Sequence, residues 1–103
     1  MPYIKQEQRN ELDKLIDDFA NKVKEMNAKN PEQTRDGLLN YSFTRILNQV
    51  FSDARYHDFN EVIGMLECCK LEYYRKYAAP YEDIKENENG PVEIFDKKDK
   101  KGY

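Results

Sequence analysis

Two stretches of this sequence concentrate residue types that hold anions and stack on rings. Tyr73-Tyr74-Arg75-Lys76-Tyr77, with Tyr81 just beyond Pro80, brings aromatic faces and cations to one end of a helical segment. Aromatic faces stack on nucleobases, and guanidinium groups grip phosphates in bidentate fashion. Tyr41 and Arg45 lie four residues apart, so on a helix ring and guanidinium share one side. Asn40 and Thr44 run beside them and add an amide and a hydroxyl at the same spacing. Lys70 falls among Leu66, Tyr73 and Tyr74. Its ordinary reading is a packed stem with the ammonium at the rim, and that reading outweighs a ligand contact. A tyrosine-rich subunit interface has the same composition as a nucleotide pocket, and spacing alone leaves both open.

Bond-breaking chemistry finds no such foothold. The sequence holds no G-x-S-x-G, H-E-x-x-H, P-loop or G-x-G-x-x-G. His57, the single histidine, reads as a polar residue in the turn before a helix. Cys68 and Cys69 are adjacent, a placement that strains any bridge between them, and mid-helix neighbours such as Leu66 and Leu71 favour inert packing. No C-x-x-C or Cys/His cluster suggests zinc, and the acidic pairs Asp17/Asp18 and Glu82/Asp83 read as solvated helix faces. The expectation is a protein that is not an enzyme and carries no cofactor and no metal.

Composition narrows the partners. The chain has 103 residues, 36% of them charged, with a net charge of -3 and the signs interleaved. A protein that neutralises a run of DNA or RNA phosphates normally shows a basic stripe, and none is visible, so no nucleic-acid polymer is expected. A small anion needs only two or three cations. Mean hydropathy is -1.02. The start, Met1-Pro2-Tyr3-Ile4-Lys5, lacks an apolar signal region and no stretch approaches a membrane span, which together suggest a cytoplasmic protein. Aromatics make up 13% of the residues, enough for a modest core. A chain this short is marginal alone, and oligomerisation is a common remedy.

The elements that must position these residues are helical. Leu12, Leu15, Ile16, Phe19, Val23 and Met26 follow three-four spacing and predict a helix from about Gln6 to Ala28. A linker over residues 30–37 precedes a second helix near Leu38 to Ser52, capped by Asp36 or Gly37. Between Leu38 and Ser52 the only charge is Arg45. One face carries Leu39, Phe43, Ile46, Leu47, Val50 and Phe51, and beside it runs the uncharged stripe Asn40, Thr44 and Asn48. A face that avoids charge suits a subunit contact or a ligand wall, where bare charges are costly to desolvate. Asp58 and Glu61 have capping-box spacing and predict a third helix, with Asp58 as N-cap, reaching about Ala79. That helix has two contact faces, one with Phe59, Val62, Ile63, Leu66, Cys69, Tyr73 and Tyr77, the other with Gly64, Cys68, Leu71 and Arg75. Pro80 ends or kinks it, and a short fourth helix over residues 81–88 stops at Asn89-Gly90-Pro91. The fold expected is all-α: three main amphipathic helices and a short C-terminal one. They form a single helical domain over residues 1–95, assembled as a homo-oligomeric bundle. A charged tail over residues 96–103 is expected to be disordered.

Four blocks carry a resemblance. They are Met1-Pro2-Tyr3-Ile4-Lys5; Gly37-Leu38-Leu39-Asn40-Tyr41 with Thr44-Arg45; Val62 through Cys68 with Lys70-Leu71-Glu72; and Ala79-Pro80-Tyr81-Glu82-Asp83 through Asn89-Gly90. In that order they resemble a largely uncharacterised family of small proteins of bacteria, archaea and tailed phages, over roughly residues 1 to 92. Pro91 stands where the family usually has an acidic residue. In size, helical pattern and phage setting the chain is similar to viral sponge proteins that sequester cyclic nucleotide immune signals, the CBASS and Thoeris messengers, in pockets between protomers. The resemblance implies an anti-defence protein of the host-cell cytoplasm that captures a cyclic dinucleotide or a cyclic ADP-ribose-like ligand without cleaving it. Partners would be its own copies, as a dimer or tetramer, and that ligand, with no membrane involved. Tyr41 and Tyr74 would stack on bases, Arg45, Arg75 and Lys70 would meet phosphates, and Asn40 and Thr44 would read base edges. Two other readings stay open: a protein-binding inhibitor or adaptor of a host partner, and a small nucleotide-processing enzyme.

Overall fold

A computed structural model describes residues 2–53 and 55–93. Every regular element among the described residues is helical, in the order α1 (Gln6–Lys29), α2 (Arg35–Val50), α3 (Tyr56–Tyr73), a π-helical turn (Tyr74–Ala78) and α4 (Ala79–Asn89). The tail expected to be disordered, residues 96–103, lies outside the described residues. The chain divides into two compact units, residues 1–64 and 65–103, with the boundary inside α3.

In the first unit α1 runs one residue past its expected end. Its start is fixed from both sides: the Lys5 backbone N–H donates to Gln8 Oε1 at 3.0 Å, and Arg9 Nε donates to the Ile4 carbonyl at 2.8 Å. The turn after α1 is tied by two amides. Asn27 Nδ2 donates to the Gln33 carbonyl at 2.9 Å, and Gln33 Nε2 to the Met26 carbonyl at 3.2 Å. Here α1 and α2 pack together. Val23 is buried, 7% exposed, and Phe19, Met26, Leu38, Leu39 and Ser42 are half-buried. Leu47 and Phe51 are half-buried as well, and the rest of each apolar stripe is open. Leu12, Leu15 and Ile16 of α1 and Phe43, Ile46 and Val50 of α2 are all exposed.

The start of α2 corrects the sequence reading. The cap is Thr34, whose Oγ1 accepts from the Gly37 backbone N–H at 3.2 Å, so Asp36 and Gly37 already lie in the first turn. An acidic residue there complements the positive end of the helix dipole. Gly37 has a steric reason too: a Cβ at that position would sit 2.8 Å from Thr34 Oγ1. Thr34→Ala is expected to cost about 1 kcal/mol, the usual worth of such a cap. Urea denaturation of the two proteins measures it.

A second correction concerns α3. Asp58 is not its N-cap but the residue that reaches back. The Arg55 backbone N–H donates to Asp58 Oδ2 at 2.9 Å, while the Arg55 carbonyl accepts from Asp58 and Phe59 at 2.9 and 3.0 Å. The capping geometry anticipated for Asp58 and Glu61 therefore begins three residues earlier.

In the second unit, Pro80 does not end the helical run. Proline donates no backbone hydrogen bond and its ring crowds the carbonyl four residues back. The chain answers by widening one turn, so that the Ala79 N–H reaches the Tyr74 carbonyl, five residues away. Tyr73, Ala78 and Ala79 all keep helical backbone angles, and the run passes from α3 into α4 without a break. It stops at Gly90, whose φ of 89° is open to glycine and strained for other residues, with its N–H on the Glu86 carbonyl at 2.8 Å. The fourth helix thus exists, and starts two residues before its expected position.

Candidate functional site

Four of the seven candidate residues stand on the exposed side of α2. Arg45 Nη1 donates to the Tyr41 hydroxyl at 3.3 Å, and Thr44 Oγ1 donates to Asn40 Oδ1 at 3.3 Å. Both bonds span four residues, so ring, guanidinium, amide and hydroxyl form two parallel rows on one helix. All four residues are exposed. Among the described residues Arg45 has no carboxylate partner, and its only polar contact is the tyrosine hydroxyl. Its charge is therefore uncompensated in an otherwise charge-free stretch. Ser42, behind this row, is taken up by the Leu38 carbonyl at 2.7 Å.

The start of the same helix adds one perturbed carboxyl. Asp36 is held below its ordinary 3.8, first by a hydrogen bond from the Thr34 side chain, then by the Gly37 and Asp36 backbone N–H groups and by Arg35. A depressed carboxyl stabilises the fold above its unfolded value and loses that contribution as pH falls through the lower folded one. The α2 start is therefore expected to loosen only in acid, below the ordinary carboxylate range. A carboxyl-carbon NMR titration of Asp36 should give a midpoint under 3.8, moving upward in Thr34→Ala.

Lys70, Tyr74 and Arg75 belong to the second unit and are described by themselves. Both cations are engaged by acids one turn back. Lys70 Nζ lies 2.7 Å from Glu67 Oε1, and Arg75 Nη2 contacts both Glu72 oxygens at 2.7 and 3.1 Å. Both Arg75 contacts are made by the one nitrogen, Nη2, which the two carboxylate oxygens share. Tyr74 is 52% exposed. Tyr73 and Tyr77 stack in a tilted pair with centroids 5.0 Å apart, and Lys85 Nζ sits 5.7 Å from the Tyr81 ring centroid. Cys68 and Cys69 are both exposed, so the inert packing expected of them is not present within this chain.

Sequence reasoning passed over an apolar recess of about 160 Å³, lined by Leu47, Asn48, Phe51, Phe59, Val62 and Ile63. Its signal is present in the apolar spacing of both helices, whose faces read in the sequence as contact faces without being paired into a recess. No group of three or more His, Cys, Asp or Glu side chains that could hold a metal occurs among the described residues, and no described helix is long and apolar enough to cross a membrane.

Neither the curated proteins nor the solved structures include a match to this chain. A family model does match, over residues 1–92, and takes in the α2 row, the cap beneath it and the tyrosine-rich run together. The chain belongs to that family, DUF6899, a domain of unknown function.

Proposed function

We propose that this chain is a homo-oligomeric capture protein that holds a small anionic ligand of cyclic-nucleotide type and releases it unchanged. The observation that carries the reading is Arg45. A guanidinium without a carboxylate, braced by a tyrosine hydroxyl and flanked by an amide and a hydroxyl, suits a phosphate with a base beside it. Tyr41 offers the stacking face, and Asn40 and Thr44 offer groups that read base edges. The exposed apolar stripes of α1 and α2 support self-association, which would supply the opposite wall of a pocket. Lys70 and Arg75 take a lesser part, because a phosphate would first have to displace Glu67 and Glu72. Tyr74 remains a candidate stacking ring. A phage-type anti-defence role, sequestering a cyclic dinucleotide or cyclic ADP-ribose-like messenger in the host cytoplasm, rests on the family resemblance.

The test mixes purified protein with a panel of cyclic dinucleotides and cyclic ADP-ribose isomers. Retention of one of them, and its intact recovery after heat denaturation, is expected. Arg45→Ala should weaken that retention roughly tenfold to a hundredfold, the worth of hydrogen bonds to a charged group. Degraded ligand would point to an enzyme and overturn the reading. A second reading, an adaptor for a host protein, is favoured by the apolar recess beside Phe51 and Phe59. No thermal shift with any nucleotide, together with a host protein in pull-downs, would favour it.

A further inference from the structure

Residues 65–89 form one continuous helical run, and the described residues of their unit hold no other element for it to pack against. Helices in water draw most of their stability from burying an apolar stripe, so a lone run of this kind is marginal. Its stripe is well defined. Leu66, Tyr73, Tyr77, Tyr81 and Ile84 are 41%, 65%, 65%, 60% and 58% exposed. The π turn keeps it straight. In a regular α-helix a row spaced by four residues drifts around the cylinder, because one turn takes 3.6 residues. A turn closed five residues back rotates less per residue, which cancels that drift and leaves Tyr73, Tyr77 and Tyr81 in line. A π turn is uncommon, and here it aligns three rings.

The charges beside this row are self-complementary. On one flank the order is Glu67, Lys70, then Glu82, Lys85. When a second copy is turned end for end about the level of Lys76, one residue before Tyr77, the same flanks face each other. Lys70 then lies opposite the partner's Glu82, and Glu67 opposite the partner's Lys85, each twice by symmetry. Within one chain Lys70 is paired to Glu67 and Lys85 to Glu88, at 2.7 and 3.4 Å, but all four side chains are about half exposed or more. Exposed pairs of this kind are weak and readily exchanged. The stripe of two copies, with the stems of the flanking residues, brings together roughly 1,200 Å², the lower bound of a standard interface.

We propose that a second copy of this chain packs antiparallel along the Tyr73–Tyr77–Tyr81 row, with the two-fold axis one residue before Tyr77, at the level of Lys76. Such an interface is isologous, each patch meeting its own image. The inference rests on the self-association in the reading above and adds a second surface to the α1 and α2 stripes, assigning Lys70 to the subunit contact rather than to the ligand.

Charge reversal tests it. Lys70→Glu and Glu82→Lys, each alone, should weaken self-association roughly tenfold, read by sedimentation equilibrium. An equimolar mixture of the two variants should recover it to within about threefold as heterodimers, since every opposed pair on that flank is then of opposite sign. Rescue between separate chains excludes an effect within one helix and shows that both variants fold. In a Cys68→Ser/Cys69→Ser background, Tyr77→Cys should oxidise to a covalent dimer. If the chain self-associates but neither reversal weakens it and Tyr77→Cys does not cross-link, this interface is wrong while self-association stands. If the unaltered chain is monomeric, both fall.

Discussion

Replacing Tyr73 and Tyr77 together by glutamate is expected to abolish self-association at micromolar concentration and to melt the helix over residues 65–89. Glutamate is a better intrinsic helix former than tyrosine, so propensity alone predicts the opposite result. The loss would come from the stripe. Both rings are 65% exposed within the chain, and nothing else in their unit is available to cover them. Central tyrosines of an interface are commonly worth about 2 kcal/mol or more each. Two per copy are four across the symmetric pair, so even half their additive worth places the effect at about 4 kcal/mol, roughly a thousandfold in dissociation constant. Sedimentation gives the affinity, and far-ultraviolet circular dichroism at the same concentration gives the helix content. Unchanged helicity in a monomeric double variant would show that this run holds without a partner.

The second large effect belongs to the first unit. Val23→Asp is expected to unfold the α1–α2 pair, at a cost of about 3 kcal/mol or more, because an unpaired carboxylate would enter an apolar site. Val23 is 7% exposed and is the buried residue around which the half-buried Phe19, Met26, Leu38 and Leu39 gather. Leu15 is the control. It lies on the same apolar stripe but is 67% exposed within the chain, so Leu15→Asp should leave the helix pair folded and weaken self-association only. Thermal melts of the two variants separate a core position from a surface one. If Leu15→Asp unfolds the protein as completely as Val23→Asp, that stripe is buried by something beyond this chain.

Helix existence was legible in the sequence because apolar spacing is a periodic signal, and α1 came out within a residue at its end. The first turn of α2 was not. Gly37 reads as a breaker, and only the Thr34 hydroxyl on its N–H shows that it opens a helix instead. At α3 the pattern was read from the wrong end: Asp58 supplies the returning carboxylate, and Arg55, a residue without a capping side chain, holds the cap position. The π turn shows in the sequence only as the four-residue spacing of Tyr73, Tyr77 and Tyr81, which an ordinary amphipathic helix also shows over two turns. Pro80 marked the place but not the response.

For the candidate site, the four-residue spacing of Asn40 with Thr44 and Tyr41 with Arg45 translated directly into hydrogen bonds. The acids three residues before Lys70 and Arg75 were equally visible, and helix neighbours at that spacing are expected to pair. Reading the two cations as ready for phosphate overlooked Glu67 and Glu72. Whether a partner covers a stripe leaves no periodic trace, because an apolar stripe has one pattern whether it meets its own fold or another chain.

The mass of the folded chain in dilute solution bears on all of this most directly. Light scattering coupled to size exclusion at a few micromolar should give an integer multiple of 12.3 kDa, two or greater, with the helix content intact. A fully helical species of 12.3 kDa would contradict the account, leaving Tyr73, Tyr77 and Tyr81 facing water with no second copy to cover them.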